Sequence, residues 1–416
     1  MPTEILKTDA SPNESSSSNI PEKYRNRTVI NSKYIFEKKI GSGSFGTVYR
    51  GKNIISGDGV AIKFEATTAN IPTLLWESKI MNHLAGTPGV VKLRYFGTES
   101  NKNIIVMDLF SHTLYEEITK IKTDTATTIT TTSTSMTQNT AARESSKESA
   151  SSPTESDFAV EIKQNEHKEQ TVKYSSSNNS NDEANTDMGE DTVSTNLIQP
   201  KNTCTPSSKK SLELPSVPVH IIAVTKYIIS MIEIIARVHE AGIVHRDIKP
   251  DNFMLSMVGN TGDNANTANG IEKKLNIIDF GLSRFYMKGD KHVDNAEDRS
   301  IVGTIRYISK HIHEGNVYSR RDDIISIMYV AIYLAKGSLP WMGVTAKKGD
   351  TKKGDTKTKE DVVYDIKTKT SSTDLCEGVP YLFKKLLDYS YSLDFEDKPD
   401  YSYMTRQCKN YLKTYV

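Results

Sequence analysis

Residues 244–255 read VHRDIKPDNFML. Charged and Asn residues after an apolar helix commonly mark nothing more than a solvated turn. The order of residue types here argues for more. Asp247 lies two residues after His245, Lys249 two beyond Asp247 and Asn252 five beyond it, so one loop presents a carboxylate, an ammonium and an amide. Further along, IIDFGL places Asp279 directly after an apolar strand-like run. Asp247 can accept the proton of an attacking hydroxyl, Lys249 can neutralise a phosphoryl group in transfer, and Asn252 and Asp279 can hold a metal ion against phosphates.

Upstream, GSGSFGTV at 41–48 has the spacing G-x-G-x-x-G. Alone it is weak, because Gly-rich turns are common and a dinucleotide fingerprint shares the pattern. Its context decides: a strand-like run precedes it and TVYRGK continues as another strand, so the glycines cap a hairpin able to fold over phosphates, with Phe45 at the tip. Lys63 sits in VAIKFE, an alternating strand where a Lys is most often a solvated edge residue. As part of the third strand after the Gly-rich hairpin it can instead point inward to the α and β phosphates. Glu77, in LLWESK on the next helix, can orient Lys63 by an ion pair, although a surface glutamate is the commoner reading of such a residue in isolation. Asp323 opens an apolar helix, where a charged residue usually caps the N-terminus. His245 and Arg246 read as scaffold for the loop that carries Asp247.

The chain has 416 residues with 53 basic and 52 acidic side chains, a net charge of +1. This gives no bulk reason to expect nucleic acid or an anionic membrane as partner. Cys204, Cys376 and Cys408 are far apart and lack metal-ligand spacing, which fits reduced thiols of an intracellular protein of cytoplasm or nucleus. The N-terminus lacks the apolar core of a secretory signal, and IISIMYVAIYLA from Ile324 is too short to span a bilayer, so a soluble chain is expected.

Residues 1–33 are polar and Ser-rich and read as a disordered tail. From Tyr34, YIFEKKI, TVYRGKN and VAIKFE read as an antiparallel meander. A helix follows after Pro72 with Leu75, Ile80 and Leu84 at helical spacing, then strands VVKLRYFG and NIIVMDLF. After Lys120 the composition turns Ser/Thr-rich and nearly free of aromatics, so 121–213 reads as a low-complexity insert. Beyond it, 214–416 opens with an amphipathic helix striped by Ile221, Val224, Ile228, Ile232 and Ile235. GNTGDNANTANG reads as an enlarged turn between two strands, and the tandem KKGDT from Lys347 as a basic loop. About 290 residues remain for two lobes of ordinary size.

GSGSFGTV, VAIK, HRDIKPDN and DFG together resemble the eukaryotic protein kinases. HRDIKPDNFML, IIDFGLSRFY, GTIRYIS, SRRDDI, GSLPW and DFEDKPDYSYM resemble the casein kinase 1 family within them, over about 34–120 and 215–416. The resemblance implies an α+β bilobal fold, with a small antiparallel-sheet lobe carrying one helix (34–120 reaching into the start of the large lobe) and a larger helical lobe. It further implies ATP with Mg2+ and transfer to protein Ser or Thr at acidic or phosphate-primed sites, by a monomer. Nucleotide contacts would come from Ile40, Gly41, Ser42, Gly43, Ser44, Phe45, Gly46 and Val48 of the hairpin and from Ala61 and Lys63. Met107 would stand beside the adenine, with Asp108 and Leu109 as hinge. Arg299 and Arg306 would form an anion pocket for a substrate phosphate. Asp323 would hold the backbone of the HRD loop, the role favoured over the helix cap, which stays open. Departures are Ser111 and His112 in place of Gly-Pro after the hinge, Ile325 and Met328 in place of Glu and Gly, and a rearranged basic segment in which Lys347 or Lys348 can complete the anion pocket. Two alternatives are a pseudokinase scaffold docking through the insert and a small-molecule phosphotransferase. The presence of Lys63, Glu77, Asp247, Asn252 and Asp279 speaks against the first, and the two arginines of the segment after Asp279 against the second.

Overall fold

Alternation along residues 59–66 decides which way the small lobe faces. A strand sends successive side chains to opposite faces, so Val60 and Ile62 enter one apolar cluster with Ile30, Tyr34, Ile104 and Val106, while Ala61 joins the main core on the other face with Ile105 and Met107. Lys63 shares the face of Ala61 and is buried. The computed structural model describes residues 28–43, 46–69, 72–127, 217–259, 271–296, 301–345 and 358–415.

The small-lobe strands are β1 Val29–Ile30, β2 Tyr34–Gly43, β3 Gly46–Asn53, β4 Gly59–Ala66, β5 Leu93–Glu99 and β6 Lys102–Asp108, with helix α1 Leu74–His83 between β4 and β5. They form an antiparallel sheet in the order β1-β2-β3-β4-β6-β5. Two details differ from the sequence reading. Order begins before Tyr34, because the β-branched pair Val29 and Ile30 adds a strand to β2 and buries Ile30. α1 starts at Leu74 with Pro72 outside it, and Leu75 is exposed; Leu74, Glu77, Ser78, Ile80 and Met81 form the buried face.

The large lobe begins with β7 His112–Thr113 and helix α2 at 114–127, which continues past the composition change at Lys120 and donates from Lys122 Nζ to the Ala335 carbonyl at 3.3 Å. It resumes with α3 Val219–Glu240, β8 Ile243–Val244, a 3-10 turn Pro250–Asn252, and the hairpin β9 Phe253–Gly259 with β10 Ile271–Ile277. Short strands β11 Arg284–Phe285, β12 Met287–Lys288 and β13 Lys291–His292 follow. The helices after them are α4 Lys310–His313, α5 Arg320–Lys336, α6 Lys359–Lys369, α7 Ser372–Leu375, α8 Tyr381–Tyr391 and α9 Tyr401–Tyr415.

α5 is the axis of this lobe: every residue from Arg321 to Ala335 is buried, which is why its sequence is apolar around most of the helix. α3 packs on α5 and α9, and the stripe Ile221, Val224, Ile228, Ile232, Ile235 is its buried side. α3 is long and apolar enough to cross a membrane by length and composition, but this stripe places it in the protein core. Ile325 and Met328 are fully buried in the same core, so two departures from the family pattern serve packing. Cys376 and Cys408 are buried free thiols; Cys204 lies outside the described residues.

Candidate active site

β2 and β3 close the Gly-rich hairpin with Gly43 opposite Gly46. Ser44 and Phe45 lie outside the described residues. Gly46 has φ +113°, and a Cβ there would sit 2.1 Å from the Phe64 carbonyl oxygen, so both backbone angle and space demand glycine. Under this hairpin opens a cavity of about 370 Å³. Ile40, Gly41, Ser42, Gly46 and Val48 line it from above, Ala61 and Lys63 from β4, and Met107, Asp108 and Leu109 from the hinge. The structure brings these ten of the expected residues together, and Gly43 is placed by its pairing with Gly46. Phe110, Met254 and Ile278 also line it and were not foreseen. Met254 stands two residues after Asn252 and Ile278 directly before Asp279, so strand alternation beside the polar motifs was the available signal.

Ser111 and His112 tie the hinge exit to the large lobe. The Ser111 backbone N–H and hydroxyl both donate to the Leu255 carbonyl, and His112 Nε2 lies 2.8 Å from Glu117 Oε2, whose carboxylate also pairs with Lys273. Burial tends to raise the Glu117 carboxyl, but hydrogen bonds from Lys273 and His112 hold it below the usual range.

On the inner wall Lys63 Nζ lies 2.8 Å from Glu77 Oε2 and 3.0 Å from Asp279 Oδ1. Burial works to lower the Lys63 ammonium, and the two carboxylates outweigh it and raise it above the usual lysine range. Glu77 is pushed up by burial, with Lys63 opposing; Asp279, also desolvated, is nevertheless held down by Lys63. The three groups form one hydrogen-bonded cluster on the floor of the cavity.

The loop of the opening quotation completes the site. Asp247 Oδ1 accepts from the Thr304 backbone N–H at 3.1 Å and its hydroxyl at 2.7 Å; Oδ2 accepts from Lys249 Nζ at 2.5 Å and Asn252 Nδ2 at 3.1 Å. Asn252 Nδ2 also donates to the Asp247 carbonyl at 2.9 Å. With its amide nitrogen so committed, Asn252 has its Oδ1 left as the ligand-capable atom. Asp279 supplies carboxylate oxygen across the same cavity. One amide oxygen and one carboxylate suit a magnesium-type ion that completes its shell with phosphates and water. Among the described residues no group of three or more His, Cys, Asp or Glu could hold a metal by themselves.

Asp323 settles its two roles: Oδ2 accepts from the His245 backbone N–H at 2.7 Å and Oδ1 from that of Arg246 at 3.0 Å, while it is Asp322 that accepts from the Ser319 N–H at the helix start. His239 Nε2 reaches the same Oδ2 at 2.9 Å. His245 is buried against Phe280 and lies 3.1 Å from the Ile278 carbonyl, the scaffold role expected of it. Thr304 was missed as a site residue although GTIRY had been singled out. Gly303 before it has φ +99°, and a Cβ there would meet the Arg246 carbonyl at 2.4 Å, so this glycine lets the segment reach Asp247.

Arg306 is exposed, its guanidinium 5.7 Å from the ring centres of both Tyr307 and Tyr333, and no carboxylate among the described residues forms an ion pair with it. Its carbonyl accepts from Trp341 Nε1 at 2.8 Å, and Lys367 Nζ donates to the Ile305 and Ile308 carbonyls at 2.7 Å each. Arg299, Lys347 and Lys348 lie outside the described residues.

The arrangement can bind a nucleotide under the hairpin and bring a hydroxyl to Asp247. The protein kinase domain family matches this sequence over residues 34–142 and 126–405. That match spans both lobes and every motif named above, and family membership carries with it use of ATP with a divalent metal. By its fold, its site and this match, the chain belongs to the protein kinase family.

Proposed function

We propose that the chain is an active protein serine/threonine kinase of casein kinase 1 type, which uses Mg2+ and prefers acidic or phosphate-primed sites. The observation that carries the reading is Asp247, whose carboxylate is fixed by Thr304 on one oxygen and by Lys249 and Asn252 on the other. Asp247 orients the acceptor hydroxyl and takes its proton as the acceptor oxygen bonds to the γ-phosphorus and the bond to the β-phosphate oxygen breaks, leaving its electron pair on ADP. Lys249, which also lines the nucleotide cavity, offsets charge on the phosphoryl, and Lys63 holds the inner phosphates. A divalent ion at Asn252 and Asp279 would neutralise the phosphate oxygens. The intact cluster of Lys63, Glu77 and Asp279 favours catalysis over a scaffold role.

Among the described residues Arg306 has no carboxylate partner, which supports the anion-reading part. An arginine exposed to solvent on the segment after Asp279, with its guanidinium near two tyrosine rings, can offer its planar fork to a phosphate. Arg306→Ala should lower kcat/KM on a phosphate-primed Ser peptide by about 1.5–3 kcal/mol and leave an unprimed peptide nearly unchanged. Equal losses on both would assign Arg306 to loop structure, and transfer to Tyr peptides alone would overturn the acceptor assignment.

A further inference from the structure

VAIKFE carries a second acid-base position that the chemistry above does not use. Glu65 lies two residues after Lys63 on β4, so both side chains leave the same face of the strand. Glu65 is buried, and no cation forms an ion pair with it among the described residues. It is satisfied by the start of α1: Oε1 accepts from the Thr73 backbone N–H at 2.7 Å and hydroxyl at 3.0 Å, and Oε2 from the Leu74 N–H at 3.2 Å, with Asn103 Nδ2 at 3.3 Å. Thr73 makes no side-chain cap of its own. The strand therefore supplies the carboxylate that the positive end of the helix requires.

One turn further, Trp76 precedes Glu77 and reaches the opposite way. Its Nε1 donates to the Ser283 carbonyl at 2.7 Å, four residues after Asp279, and its ring meets the Arg284 guanidinium at 5.2 Å and the Phe285 ring at 6.2 Å. α1 is thus tied to β4 at its N-terminal end and to the segment after Asp279 through Trp76, and Glu77 follows directly after the second tie.

We infer that Glu65 and Trp76 are positioning residues that set Glu77 in register with Lys63 and Asp279; this rests on the kinase reading above. Neither touches the cavity, so each acts through Glu77. A residue that acts only through another loses its effect once that other group is neutralised, whereas a general structural contribution persists in both backgrounds.

The test is a pair of double-mutant cycles on the full chain, Glu65→Ala and Trp76→Phe each with and without Glu77→Gln. The readouts are kcat and KM for ATP and, independently, the dissociation constant of a non-hydrolysable ATP analogue with Mg2+. In the Glu77 background, Glu65→Ala should lower kcat about tenfold and Trp76→Phe about threefold, with analogue binding weakened about threefold. In the Glu77→Gln background both should change each quantity by less than about 1.5-fold. Equal effects in the two backgrounds would overturn the inference. Should Glu65→Ala fail to fold, Trp76→Phe, which keeps an aromatic ring at the site but removes the indole N–H and part of the ring's contact with Arg284 and Phe285, decides it. A wild type that binds the analogue and transfers nothing would refute the kinase reading while the binding cycle still judged this one.

Discussion

Arg246 and Asp279 have φ of +71° and +66°, in the left-handed region that costs a residue with a Cβ about 1–2 kcal/mol. Both belong to the motifs that identify the site, and in both the surrounding bonds enforce the conformation: Asp323 accepts from the Arg246 N–H, and Lys63 holds the Asp279 carboxylate. The residues that meet in the site were legible because their types and spacing match what phosphoryl transfer needs. Thr304 was not, because its N–H and hydroxyl are delivered across 57 residues to Asp247 by a glycine whose backbone angle no sequence pattern announces. Its loss should be felt: Thr304→Val leaves Asp247 Oδ1 without its shortest partner, and kcat should fall by about 10–100-fold, the effect of one hydrogen bond to a charged group, while Thr304→Ser stays near wild type. Steady-state kinetics on a Ser peptide checks both. The glycines of the hairpin should separate in the same way. Gly46→Ala, which faces both a collision and a positive φ, should destabilise the protein by more than about 1 kcal/mol and raise KM for ATP. Gly41→Ala, whose Cβ would meet only Val48 at 4.0 Å, should be mild in a thermal melt.

At the level of elements, α5 shows how much a short acidic pair can do. SRRDDI places Asp322 and Asp323 side by side, and the helix turns one toward its own N-terminus and the other toward the catalytic loop. Asp322 accepts from the Ser309 hydroxyl and the Ser319 N–H, yet burial pushes its carboxyl up to about 6. The folded protein therefore binds this proton more tightly than the unfolded chain does. Between about pH 4 and 6 the native state holds more proton, so Asp322 costs stability progressively as pH rises through that window, on the order of 3 kcal/mol above it. His313, lowered to about 4 by burial and by Lys367, acts with the opposite sign, since the unfolded chain takes up its proton first as pH falls. Asp322→Asn should isolate the first effect: urea melts at pH 4, 5, 6 and 7 should show the variant gaining on wild type as pH rises, and a constant difference would refute the assignment. Helix and strand identity was largely legible from periodicity, but facing was less so. Leu75 is exposed because Glu77, drawn inward by Lys63, fixes the rotation of α1; an ion pair between elements overrides an apolar count within one. Strand β1 was hidden because two residues give no period to read.

Across the whole molecule, contacts divide the chain into one unit of residues 1–133 and 216–416 and another of 134–215. The first contains both lobes and all of the site described above, so excising 134–215 and joining the flanks with a short flexible linker should move the melting temperature by no more than a few degrees and leave peptide phosphorylation intact. A large loss of stability would mean that the second unit contributes to the fold of the first. The two-lobed plan was legible because the glycine hairpin, the strand Lys and the catalytic loop occur in fixed order along the chain, and each constrains the element that carries it. The central prediction is that Asp247 and Asp279 act as one phosphoryl-transfer centre. The most direct measurement is single-turnover transfer from ATP labelled at the γ-phosphate to a Ser-containing protein in Mg2+, comparing wild type with Asp279→Asn and following folding by circular dichroism. The expected result is transfer by wild type and a loss of about 1,000-fold or more in a folded variant; equal transfer by the two proteins, or none by wild type, would contradict it.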